Sequence, residues 1–482
     1  MSTSTPGLRS GVLGTADITF FVVSAAAPLT VMAGVAPVVL LLGGIGAPAG
    51  YLIAGITLAV FAVGFTTMSR HVRSGGAFYA FITRGLGRPA GVAGAMVAML
   101  GYNGMEIGVY GLLGSATAGT LKALLGWDVP WLVIALAGLA LTFLAGYRSI
   151  DFGAKILAVL LLAETAILLL LAGGVLLKAD LGVTSFAPGN VAVPGTIVVL
   201  AFAFGAFTGF ESTVIYRREA RDPERTVPRA TYIALAFLGL FYAFIVWIVI
   251  QAYGPAKVLD AAAADPAGLF FSAITTYVGA WAADLMHILI VTSIFASLLA
   301  FHNAINRYTL ALAQEGVLPA ALGRVHPRHQ SPYAAGIAQT ALGLVVVAAF
   351  GLAGADPYTH LLLWVNTLGM MSLVTLMAVA AVAVYFYFRR TPSNEGLWRT
   401  RVAPLLAAVL LTGALGLIAT KISLFTGGVA VVNAVILILI PAVFAAGLLA
   451  AFRLRRGRPE VYRRFAAEPD EGSDPCPQPT SS

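Results

Sequence analysis

The chain is short of charge, of cysteine and of any pattern that builds a soluble catalyst. Only 10% of its 482 residues are charged, where a soluble domain carries about 25%. Cys476 is the single cysteine, so an intrachain disulfide and a thiolate metal cluster are both excluded. The period-two alternation of a membrane β-barrel is missing. So are a phosphate-binding Walker loop, a zinc motif and a hydrolase nucleophile motif, and no enzymatic activity, cofactor or ATP drive is expected. Met1 to Gly14 is polar, with no short apolar region leading to a small-residue cleavage site, so a cleavable signal peptide is not expected.

What the chain does have is apolar length. Hydrophobic residues make up 59% of it, in runs of about 20 that can each cross a bilayer core of ~30 Å. Twelve runs are expected to span, near 15–36, 39–67, 90–119, 130–147, 152–177, 194–216, 229–253, 275–306, 333–353, 359–388, 402–420 and 428–452. The fold class is therefore an all-α polytopic membrane protein. Twelve spans put both ends on one side. Of the 29 lysines and arginines, only Lys122, Lys178, Lys257 and Lys421 fall in the loops opposite the N-terminus, leaving 25 on its side. Positive charge gathers in cytoplasmic loops, so both termini are expected in the cytoplasm and the protein in the cytoplasmic membrane. The net charge of +8 is then a topological signal with anionic lipid as its partner, not a nucleic-acid footprint.

Two spans are interrupted. The first carries Ser24-Ala25-Ala26-Ala27-Pro28, where the proline removes a backbone donor and crowds the preceding turn. The sixth carries Phe204, Gly205, Phe207, Gly209, Phe210 and Glu211 in its middle and runs into a loop with five arginines. Broken helices at membrane depth persist mainly where they line a cavity. Breaks at equivalent places five spans apart point to a 5+5 inverted repeat with its site at the breaks. The alternative is that each is an ordinary kink or close-packing point.

Three segments carry a resemblance. His71 to Gly87 (HVRSGGAFYAFITRGLG), Phe204 to Ala230 (FGAFTGFESTVIYRREARDPERTVPRA) and Asn306 to Pro319 (NRYTLALAQEGVLP) resemble, in pattern and in order, the loop after the second span, the sixth span with its loop, and the end of the eighth span of amino acid–polyamine–organocation permeases. The likeness extends from Ala16 to Phe452. Two departures stand out: Arg218-Glu219 replaces the usual acidic pair, and the Ala25–Pro28 run replaces a common Gly-x-Gly. The resemblance implies a leucine-transporter-type fold. Residues 1–14 form the N-terminus and 15–453 the membrane domain, followed by a disordered tail over 454–482. Within the domain, 15–178 is the first repeat, 194–390 the inverted second, and 402–453 two extra helices.

That fold implies a substrate held against both breaks, at Ser24, Ala25, Ala26, Ala27 and Pro28 and at Phe204, Gly205, Phe207, Gly209 and Phe210, with the two phenylalanines as gates or as plain packing. Exposed N–H groups at a break attract a carboxylate, and exposed carbonyls an ammonium. Four carboxylates lie inside spans, Glu106, Glu164, Glu211 and Asp284, and each is a functional candidate because a charge at that depth is costly. Asn103, Glu106 and Tyr110 share one helical face. That face contacts the substrate, with Glu106 favouring a cationic amine, or else forms an interhelical hydrogen-bond cluster.

Glu164 aligns where some proton-coupled members carry a lysine, so it is read as a proton-coupling residue, or as a carboxyl fixed to Ser293 or Ser297. Those same serines would serve a sodium site. Glu211 is read as a lock that satisfies the unwound backbone, and Glu219 and Arg225 as parts of an inner gate or surface ion pairs. Asp284 and His287 are expected near the headgroups, and His302 closer to the inner side. The expected function is proton-coupled import of an amino acid or related amine by alternating access. The alternatives are a polyamine or cationic-amine carrier, an exchanger, or a sensor that binds without transporting.

Overall fold

The computed structural model describes residues 13–72, 77–148 and 154–466. Eleven helices are long and apolar enough to cross a membrane, and the shorter apolar helix Trp131–Tyr147 sits between two of them. In chain order the spans are Thr15–Gly43, Ala47–His71, Arg88–Leu125, Trp131–Tyr147, Ala154–Lys178, Gly195–Val214, Pro223–Tyr253, Ala280–Gln314, Tyr333–Leu352, Pro357–Arg390, Trp398–Thr420 and Ala430–Gly457. No strand occurs among the described residues; Leu13 and Ala220 form an isolated parallel bridge.

One boundary differs from the sequence expectation. The apolar residues 39–43 belong to the first span, not the second. The turn falls at Gly44, whose φ of +81° ends the helix, and Pro48 sits in the first turn of the next one, where its missing donor has no intrahelical use. Residues 454–466, expected to belong to the tail, are largely helical: the twelfth span runs on to Gly457 and Pro459–Arg464 forms a further short helix. Phe465 is buried, against Tyr79. Residues 467–482, the loop 73–76 and the segment 149–153 lie outside the described residues, as do the side chains of Lys155 and Arg218.

The spans divide into two groups by packing. The first, second, sixth and seventh pack together, and the third, fourth, eighth and ninth pack together. The fifth lies against the first and eighth, and the tenth lies along the third. Backbone crossings are close where small residues meet. A Cβ on Gly104 would lie 2.8 Å from Gly369 Cα, so the third and tenth spans cross almost backbone to backbone, the small-residue contact that gives van der Waals attraction in lipid. Large apolar side chains such as Leu141, Val159, Ile233, Val345, Val409 and Ile438 face outward. So wide an apolar exterior marks a membrane-facing surface.

Candidate functional site

The first span unwinds at Ala27. Its φ of 45° and ψ of 74° lie in the left-handed region, and Pro28 follows without a backbone donor. A new helical segment starts there, so its first N–H groups have no intrahelical acceptor. Two of them find partners on distant spans. Leu29 N donates to Glu164 Oε2 at 3.4 Å, and Thr30 N donates to Ser293 Oγ at 3.3 Å. Ser293 in turn donates to Glu164 Oε2 at 2.8 Å and accepts from Thr30 Oγ1 at 2.8 Å. Glu164, on the fifth span, thus caps a helix start on the first span, and Ser293 ties both to the eighth. On the other side of the break, Tyr242 of the seventh span donates to Ala26 O at 3.4 Å.

The sixth span unwinds at Phe207 to Gly209. Gly209 has φ +114°, which an L side chain rarely adopts. A Cβ there would lie 3.5 Å from Ala25 Cβ, so the two breaks sit side by side. Glu211 bridges the sixth span to the third: its Oε2 accepts from Gly209 N at 2.8 Å and its Oε1 from Tyr102 OH at 2.7 Å.

A cavity lies between the breaks. Its walls are Ala25, Ala26, Thr30, Val31 and Val35 of the first span; Met105, Val109 and Leu112 of the third; Phe202, Gly205, Ala206 and Thr208 of the sixth; Ser297 and Phe301 of the eighth; and Leu362 and Asn366 of the tenth. Among the described lining residues none carries a charge. Thr208 Oγ1 is buried without an internal hydrogen-bond partner, which leaves it available to a ligand.

Of the residues named from sequence, Ala25, Ala26, Gly205 and Ser297 line this cavity, whereas Ser24, Ala27, Pro28, Phe204, Gly209 and Phe210 are not among its walls. Phe207 packs edge-on against Tyr242, with Gly55 and Gly239 beside its ring. Phe210 meets Phe61 and Phe65 of the second span. Asn103 and Glu106 are absent from the lining. Asn103 donates to Met99 O, and Glu106 bonds to Tyr110, His302 and Gln339. The cavity's aromatics are Phe202 and Phe301, which sequence reasoning did not single out. On the third span, Met105, Val109 and Leu112 recur at helical spacing, the one sequence signal that could have found that wall.

At the end of the bundle that carries Leu13, polar contacts join the loops. Leu13 N donates to Glu219 O, and Arg221 N to Leu13 O, both at 2.9 Å. Arg225 pairs with Asp222 at 3.7 Å, with both side chains more than half exposed. Arg70 reaches the carbonyl of Glu224 and pairs with Glu395, which Arg399 also contacts, both ion pairs at 3.1 Å. Partial burial pushes the Glu395 carboxyl up, but hydrogen bonds from Arg399 and Arg70 and their charges outweigh it and hold the group below the usual carboxylate range. At the opposite end, His287 stacks on Phe271 with centroids 3.8 Å apart. No group of three potential metal ligands occurs among the described residues.

Known proteins resemble parts of this sequence. An uncharacterized transporter of Mycobacterium tuberculosis is 28% identical over 48% of this chain and 51% of its own length. The vacuolar cationic amino acid transporter 4 of Arabidopsis thaliana is 28% identical over 42% of the chain and 31% of its own. An L-methionine/branched-chain amino acid exporter of Escherichia coli is 29% identical over 40% of the chain and 46% of its own. The chain thus spans about half the length, or less, of these curated relatives. The model of the amino acid permease family matches residues 13–454, nearly the whole described bundle, and the chain belongs to that family.

Proposed function

We propose that the protein is a secondary active transporter that carries a neutral amino acid with an apolar side chain by alternating access, driven by protons. One observation carries this reading: the cavity sits between two broken helices, and its described walls hold no charged side chain. The N–H groups at the breaks bond to Glu164, Ser293 and Glu211, so it is the helix-end dipoles there that suit the two charged ends of an amino acid. Val31, Val109, Leu112, Phe202 and Leu362 suit an apolar side chain, and Thr208 offers a free hydroxyl. The family match and the Escherichia coli relative support the same class.

Two halves, 15–178 and 194–390, are read as inverted repeats, each opening on a broken helix. Both termini are read as cytoplasmic. The clustering of the arginine-bearing loops with Leu13 supports that reading, since positive loops stay inside.

Glu164 is the proposed coupling group. Its carboxylate joins the first span to the eighth through Leu29 and Ser293, across the boundary between the two packed groups of spans. Adding a proton removes the charge from that bridge and weakens its hydrogen bonds. The first span is then freer to shift against the scaffold. Glu211 is the proposed lock, tying the sixth span's break to Tyr102. Glu219 and Arg225 remain candidates for an inner gate.

A cationic-amine carrier is the second reading. The Arabidopsis relative favours it, and the uncharged cavity wall argues against it. The test is uptake by purified protein in liposomes, with labelled neutral and cationic amino acids and amines. Each is run with an inward proton gradient, with an inward sodium gradient, and with neither. Proton-driven uptake of an apolar amino acid supports the reading. Sodium dependence shifts coupling to Thr30, Ser293 and Ser297; uptake only into preloaded vesicles makes the protein an exchanger; saturable binding without flux makes it a sensor.

A further inference from the structure

We propose that Glu106 and His302 form a proton-binding pair inside the group of third, fourth, eighth and ninth spans, separate from Glu164 and from the cavity. The pair is a carboxylate and an imidazolium, with its exchangeable proton on His302 Nε2.

Both side chains are about 1% exposed, and His302 Nδ1 lies 3.2 Å from Glu106 Oε1. The same carboxylate accepts from Tyr110 OH at 3.2 Å and from Gln339 Nε2 at 2.5 Å. Its hydrogen bonds therefore come from the third, eighth and ninth spans, and all its donors but one are neutral side chains. A lone carboxylate in the hydrocarbon depth is unfavourable by several kcal/mol even when hydrogen-bonded. No lysine or arginine forms an ion pair with Glu106 among the described residues. His302 is the one group placed to balance the charge.

Its ring has two states to choose between. A neutral ring that donates from Nδ1 leaves a net negative charge in the pair and a bare lone pair at Nε2. A ring protonated on both nitrogens makes the pair neutral. Nε2 is the ring nitrogen left to carry the second proton. Nε2 is buried with no hydrogen-bond partner, and so is Asn306 Oδ1, one turn further along the same helix. Two glycines pack beside Nε2. A Cβ on Gly146 of the fourth span would come 3.1 Å from Nε2, and one on Gly336 of the ninth 3.7 Å.

Gly146 leads straight into Tyr147. Its ring meets those of His326, His329 and Tyr333 at the end of the bundle, with centroids 5.0 to 6.4 Å apart. The other groups in view are Tyr110 on the third span, Arg148 closing the fourth and Arg307 further along the eighth; Gln339 and Thr142 do not titrate.

The test is ¹⁵N magnetic resonance of histidine-labelled protein in liposomes, independent of transport. The chain has six histidines, and His302→Gln assigns the signal. The expected spectrum at about pH 7 has both His302 nitrogens protonated. Glu106→Gln removes the charge that holds the imidazolium, and its signal at about pH 7 is lost. Glu164→Gln leaves that signal in place. A His302 ring that is neutral in the wild type from about pH 5 to pH 9 overturns the proposal, as does an imidazolium unaffected by Glu106→Gln. If Glu106→Gln fails to fold, the wild-type pH series decides alone. Neither result touches the transport reading, which rests on flux.

Discussion

Glu164 can be tested at two depths, because it does two things at once. It carries a charge, and it satisfies donors that the broken first span leaves open. Glu164→Gln keeps an acceptor oxygen for Leu29 N and Ser293 Oγ but removes the charge. A hydrogen bond to a charged group is worth about 1.5–3 kcal/mol and a neutral one about 0.5–1.5, so the 2.8 Å Ser293 bond loses about 1 kcal/mol. The 3.4 Å Leu29 contact is long and adds little. Glu164→Leu removes the acceptor. It strands a buried N–H and a buried hydroxyl, each at about 1–3 kcal/mol, and destabilises by about 2–6 kcal/mol in all. Thermal unfolding of the detergent-solubilised protein, followed by tryptophan fluorescence, should therefore rank wild type above Gln and Gln above Leu. Uptake in liposomes should separate the two roles differently. The Gln variant should equilibrate substrate but lose proton-driven accumulation, a loss of at least about tenfold for each 1.4 kcal/mol of coupling removed. Full accumulation by Glu164→Gln would refute the coupling role. A Leu variant that melts with the wild type would refute the capping argument.

Three further outcomes follow from the same geometry. Thr208→Val keeps the volume of the cavity wall and removes a hydroxyl with no internal partner; Tm should hold, while the KM for the transported amino acid rises about fivefold to tenfold, the worth of one hydrogen bond near 1 kcal/mol. Gly209→Ala forces a side chain into φ +114°, which costs about 1–2 kcal/mol; circular dichroism melts should show a lower Tm, and liposome uptake should fall with it. Glu395 has a folded pKa below its unfolded one, so its pairing with Arg70 and Arg399 stabilises at neutral pH and is lost as pH falls through the folded value. Glu395→Gln should lower Tm at pH 7 by the equivalent of on the order of 1 kcal/mol, less at high salt, and the difference from wild type should start to shrink as pH falls through the ordinary carboxylate range and vanish below the folded pKa.

The number of spans and the positions of both breaks were open to reading because each depends on a short stretch of chain. A run of twenty apolar residues enters a bilayer whatever its neighbours do, and Pro28 or Gly209 interrupts its own helix. The residues 39–43 were misassigned because hydropathy continues through the turn, and only Gly44's backbone ends the helix. The terminal stretch to Ala466 looked polar enough to be loose. Its order comes from contacts far away in sequence, including Arg88 donating to Arg463 O at 2.8 Å.

The walls of the cavity were beyond local reading. Asn103, Glu106 and Tyr110 lie on one side of the third span, and Met105, Val109 and Leu112 lie two or three residues on, about 130° away around the helix. Both stripes are buried or nearly so, because the third span has neighbours on every side. A polar stripe inside a membrane protein signals only that something polar faces it. For Glu106 that partner is His302, 196 residues away; for Glu164 it is Leu29, 135 residues away. By itself the sequence determined that the chain crosses a membrane many times, with two spans broken in their middles, since burial in lipid and backbone breaks are properties of single segments. Which carboxylate meets the break, which phenylalanines face the cavity and which only pack, tertiary structure alone decided, because those depend on the rotation of one helix against another.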